Sequence, residues 1–178
     1  FSGGVVNAVT KRGGNDLSGS YRAQMNNPEW TSLNPFEEQS GVTRTDDVNL
    51  IHEGTLGGPI VKDRLWFFLA GRTEDLTRNA TMVGTAFPFT ATTANDRIEG
   101  KLTATIAQNH TLQGSYLNNK TEQAGPSLES YAADLATFYD PPRTLPNNLF
   151  VVSYNGVLSS NLFAEVQYSQ KKFKFENS

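Results

Sequence analysis

Apolar and polar residues alternate with a period of two along most of this chain. That period marks β-strands with one face in an apolar setting and the other in water. After an opening stretch (Val5, Val6, Ala8, Val9), the pattern predicts strands over Ser18–Met25, Asn49–Ile60, Leu65–Asp75, Arg97–Ala107, Thr111–Thr121, Asn148–Leu158 and Leu162–Phe175. Most are long: strands of soluble proteins average about 5–6 residues, and a tilted membrane-spanning strand takes about 9–11.

The segments between them alternate in length. Val61–Arg64, Gln108–His110 and Ser159–Asn161 are short; Asn26–Val48, Leu76–Asp96 and Glu122–Asn147 are long and polar. Outer-membrane barrels have this rhythm, with tight periplasmic turns and long extracellular loops.

Each strand sorts into two faces. Leu65, Phe67, Leu69 and Gly71 oppose Trp66, Phe68, Ala70, Arg72 and Glu74; Ile98, Gly100, Leu102, Ala104 and Ile106 oppose Arg97, Glu99, Lys101, Thr103 and Thr105. In a bilayer the apolar face meets lipid and the charged face lines a wet interior. A small filled barrel would bury Arg97, Glu99 and Lys101 at several kcal/mol each if unpaired, so a wide interior is expected. The fold class expected is all-β: an antiparallel transmembrane β-barrel segment. Bacterial single-chain barrels have even strand numbers from about 8 upward, and an open edge in lipid is not tolerated. Together with ends that look cut, this predicts a fragment whose remaining wall lies elsewhere in its parent protein.

Composition narrows the classes. The chain has 178 residues, no cysteine and a net charge of -3, with a mean hydropathy of -0.45. No disulfide or thiolate chemistry is available. Lys and Arg are scattered, so no nucleic-acid partner is expected. The longest apolar run is Leu65–Ala70, too short for a spanning helix, and a leader peptide is not visible at Phe1. Ser, His and Asp occur without a nucleophile-elbow pattern. Asp46, Asp47 and Glu53 lack the spacing of a calcium loop. No enzyme activity, cofactor or metal is expected.

Two blocks carry a family likeness. Gly3–Asp16, GGVVNAVTKRGGND, followed by LSGSYRAQ, resembles the junction at which the plug domain of TonB-dependent outer-membrane transporters ends and the first barrel strand begins. Glu53–Glu74, EGTLGGPIVKDRLWFFLAGRTE, resembles barrel strands two and three around their periplasmic turn, in the manner of the Oar-like branch. The likeness implies residues 1–17 as the end of the plug and 18–178 as the first part of a barrel of about 22 strands. It implies a site in the bacterial outer membrane, with lipid, the remainder of the barrel, an unidentified extracellular ligand and, through an N-terminal region not in this chain, the TonB complex as partners. The implied function is uptake of a large or scarce ligand, or export in the Oar branch, driven through TonB. The alternative is a soluble or cell-surface β-sheet binding or adhesion module.

Candidate sites follow from these placements. Gly3, Gly4, Gly13 and Gly14 are expected to give positive φ and close approach where plug meets wall. Arg72, Glu74, Arg97, Glu99 and Lys101 are lumen- or plug-facing candidates, read either as contacts to plug or substrate or as a cross-strand ion-pair ladder. Trp30, Phe36, Tyr131, Phe138 and Tyr139 are ligand-contact candidates in the long loops. Ser127 as N-cap and Pro141-Pro142 as a stop predict a short helix between them. Trp66, Phe67, Phe68, Tyr116, Phe150, Tyr154, Phe163 and Tyr168 are read as an interfacial aromatic girdle.

Overall fold

A computed structural model describes residues 11–39, 44, 46–81, 88–125 and 142–176. They form one antiparallel sheet of seven strands in chain order: β1 (Ser18–Asn26), β2 (Asn49–Val61), β3 (Leu65–Thr81), β4 (Pro88–Ala107), β5 (His110–Ala124), β6 (Arg143–Ser159) and β7 (Leu162–Phe173). The first long connection holds a single 3-10 turn, Pro28–Trp30, and the one-turn helix α1, Pro35–Gln39. No described helix is long and apolar enough to cross a membrane.

All seven predicted strands are present, but the second and third long connections are shorter than expected. Leu76–Thr81 and Pro88–Asp96 are paired, running from Leu76 opposite Thr93 to Thr81 opposite Pro88. Strand pairing also takes in Glu122–Ala124 and Arg143–Asn147. Large apolar residues occur in these stretches only singly (Leu76, Phe89, Leu145), which removes the alternation that reveals a strand. Their threonines (Thr77, Thr90, Thr92, Thr93) still suit a pleated backbone.

The three short turns share a local design. Each follows a register shift in the strand that enters it, at Pro59/Val61, Thr105/Ala107 and Val157/Ser159. Asp63 and Asn109 in the turns have φ of 63° and 62°, a left-handed conformation that short polar side chains tolerate. A bulge beside such a residue lets a hairpin reverse while keeping the strand twist.

The turns also step sideways. The hydrogen-bonded row Phe68–Lys101–Ser115–Val151–Ser169 lies three residues from the start of β3, five from the start of β5 and seven from the start of β7. With a rise of about 3.3 Å per residue and a strand spacing of about 4.8 Å, two residues per hairpin set the strands about 35° off the perpendicular to the line of turns.

The apolar face is stepped in the same sense. Its last large apolar residue toward the long connections lies seven residues above that row at Met25 and Leu50, one at Leu69, three at Ile98, one at Tyr116 and Phe150, and one below at Tyr168. All seven are exposed. On β4 the stripe runs from Ile98 through Leu102 to Ile106, about 22 Å of height at that inclination. Beyond it the same face turns polar, at Asp96, Lys120 and Asn148.

Candidate functional site

The polar face is covered at one place by the segment that precedes β1. Lys11–Leu17 crosses it over β2, β3 and β4. The Lys101 ammonium donates to the Lys11 carbonyl oxygen at 2.8 Å. Asn15 Nδ2 donates to Asp63 Oδ1 at 2.5 Å, while Asn15 Oδ1 accepts from the Asp63 backbone N–H at 3.0 Å and from Trp66 Nε1 at 2.7 Å. Phe68, Lys101 and Thr103 are buried in this region of the sheet.

Gly13 serves through close approach alone. A Cβ there would collide with the Phe67 carbonyl oxygen and press on that of Gly58, whereas nothing crowds Gly14. The expected positive φ at Gly13 and Gly14 is not found: among the described glycines only Gly125 has one, at 105°. Hydrogen bonds from Lys101, Asp63 and Trp66 hold this segment where it crosses the wall, without a left-handed glycine. Gly3 and Gly4 lie outside the described residues.

Above this strap, toward the long connections, runs a charged row. Arg22 faces Glu53, Glu53 faces Arg72, and Arg72 faces Arg97. Arg22 and Glu53 pair across strands at 2.5 Å. The other pairs run along single strands: Arg72 to Glu74 at 3.1 Å and Arg97 to Glu99 at 3.2 Å. The expected cross-strand ladder therefore fails between β3 and β4. The register sets two arginines opposite each other, so each takes the carboxylate two residues along its own strand. Lys101 is not part of this row; it lies under the strap.

The aromatic residues divide. Tyr116, Phe150, Phe163 and Tyr168 are exposed, and Tyr116, Phe150 and Tyr168 lie on the apolar face. Trp66 and Phe68 sit on the polar face, opposite Thr103 and Lys101, with Trp66 hydrogen-bonded to the strap. Parity with Arg72 already placed them there, so the girdle reading does not extend to them. Two Tyr–His pairs sit on the apolar face itself. Tyr21 and His52 lie 2.7 Å apart near the long connections, and Tyr154 and His110 lie 2.6 Å apart near the short turns. Sequence reading weighed the histidines only as metal or catalytic groups. Finding these pairs requires the register.

In the first long connection Asn27 is buried. It accepts from the Glu29 N–H at 2.9 Å and donates to Asp46 at 2.8 Å. Arg44 donates to the Ser32 carbonyl at 3.2 Å. Trp30 stands exposed beside this knot. Phe36 falls in α1, with its side chain outside the described residues. Tyr131, Phe138 and Tyr139, and the helix expected between Ser127 and Pro141, are also outside them. No group of three or more metal-ligating side chains occurs among the described residues.

No known family profile matches the chain, and no solved structure does. A stretch of 81 residues, 43% of the chain, is 41% identical to the TonB-dependent transporter Oar of Myxococcus xanthus and spans 8% of that protein's length. An all-β sheet of seven antiparallel strands and this partial match together support a relationship to TonB-dependent receptors.

Proposed function

We propose that the chain forms the end of the plug (residues 1–17) and the first part of the barrel wall (residues 18–178) of a TonB-dependent outer-membrane transporter. The apolar face meets lipid and the charged face looks into the lumen. The observation that carries this reading is the oblique apolar stripe. Its edge falls from Met25 to Tyr168 in the same sense as the line of short turns, whose displacement gives a strand tilt of about 35°, and closed barrels tilt by about 35–45°. Its height on β4, about 22 Å, is close to the apolar band of about 25 Å in outer-membrane barrels. The polar half of β3–β6 then rises above the membrane and supports the long connections.

In this reading the strap is the last stretch of plug, tied to the first short turn through Asn15 and Asp63. The wall supplies a fixed frame. Ligand capture falls to the long connections, with Trp30 as the exposed contact in the first of them. Transport follows from plug rearrangement driven through TonB, with no covalent step in this chain.

The test is fractionation of the full-length parent protein from a Gram-negative host. It should enter the outer-membrane fraction and migrate faster on a gel unheated than boiled. Recovery in the soluble fraction, with no change of migration on boiling, overturns the reading in favour of a soluble adhesion module.

A further inference from the structure

We infer that Arg22, Arg72 and Arg97 form a binding site for a carboxylate carried by a small soluble ligand on the polar face. This rests on the reading of that face as a barrel interior. The three arginines occupy one hydrogen-bonded row. Each has a carboxylate partner, and in every pair the acid is the more withdrawn member. The side chains of Arg22, Arg72 and Arg97 are 67%, 45% and 53% exposed; those of Glu53, Glu74 and Glu99 are 31%, 18% and 17% exposed. The guanidinium groups thus stand further into solvent than the acids that hold them, and the cavity they share has four cationic side chains against two carboxylates.

Arg72 and Arg97 make the centre of the site. Their Cα atoms are direct partners across β3 and β4, an arrangement of like charges that costs stability unless something offsets it. Each guanidinium meets its glutamate through one terminal nitrogen. The rest of the planar donor fork is left for a second acceptor, and a carboxylate matches that fork with two parallel bonds. A cavity of about 340 Å³ opens here, lined by the three arginines and Lys11, with Glu53 and Glu99 also on its wall. A carboxylate placed between Arg72 and Arg97 would receive charge-assisted hydrogen bonds from both and cancel their repulsion.

The test is calorimetric titration of the full-length protein in detergent with succinate, at neutral pH and low salt. Saturable binding is expected, weakened at least about tenfold in the Arg72→Gln/Arg97→Gln double variant, since each lost charged hydrogen bond is worth about a factor of ten or more. Arg72→Lys/Arg97→Lys should fall between the two, retaining charge without the fork. Lys172→Gln, on the opposite face, should leave the isotherm unchanged. A flat wild-type isotherm, or one that the glutamine variant leaves unaltered, overturns the site. Heat-modifiable migration of every variant separates the two readings. A barrel that gives a flat isotherm refutes the site alone. Succinate binding by a protein that does not migrate as a barrel refutes the wall alone.

Discussion

The indole N–H of Trp66 donates to the side-chain oxygen of Asn15 at 2.7 Å, across 51 residues of sequence. The same oxygen also accepts the Asp63 backbone N–H. One amide thus ties the segment before β1 to both the first short turn and the strand leaving it. Asn15→Ala leaves the indole and the Asp63 amide without these acceptors. The contacts are exposed, so water replaces part of them and the loss should be about 1 kcal/mol. Hydrogen exchange in the peptide covering 62–66 should quicken, with little change in β6 and β7. Unchanged exchange at Asp63 would show that the strap is held elsewhere.

Leu102 lies midway along the apolar stripe of β4 and Ile106 at its turn end. If lipid covers this face, Leu102→Arg should cost about 2–4 kcal/mol and Ile106→Arg about 0–1, because the penalty depends on depth. Reversible unfolding of the full-length protein in phospholipid vesicles measures both. Equal small effects would describe a face that meets water.

Gly156 lies against the Tyr154–His110 pair. A Cβ there would collide with the tyrosine hydroxyl and with His110 Nδ1 at 2.5 Å. Gly156→Ala should therefore cost about 1–3 kcal/mol through overpacking. The companion change Tyr154→Phe removes the hydroxyl and should restore part of that loss. Thermal loss of the fast-migrating form, compared across the single and double variants, reads the coupling.

The Glu29 carboxyl is held above its ordinary value of 4.5 by the charge of Asp46 and by a hydrogen bond with it. A carboxyl raised on folding stabilises the ordered loop fully below its unfolded pKa. That contribution is lost as pH rises through the folded value. Protection factors at the Trp30 and Thr31 amides, which bond to the Asn27 and Pro28 carbonyls, should decline as pH rises from 4.5. Glu29→Gln should flatten that dependence. A decline that persists in the variant would point to another group.

Where one face is apolar, the fold is legible in the sequence. Ile98–Ile106 alternates strictly because lipid or core must be matched residue by residue. The paired stretches Leu76–Thr81 and Pro88–Asp96 are not legible, since a strand without a regular apolar face reads as a loop. Strand parity already put Trp66 and Phe68 on the charged face, and it is the grouping with the girdle aromatics that fails for them. The arginine row was half legible. Parity places Arg72 and Arg97 on one face, but only the register reveals that they oppose each other and must each turn to a glutamate on their own strand.

The constant displacement of the short turns bears on how such a wall changes size. Each hairpin repeats its neighbour moved by the same two residues, so neither the inclination nor the level of the apolar stripe depends on how many hairpins stand in line. Gain or loss of a whole hairpin would alter circumference while every remaining residue kept its depth. Gain or loss of a single strand would reverse the chain's direction and put a long connection on the side of the short turns. A wall built this way grows in pairs.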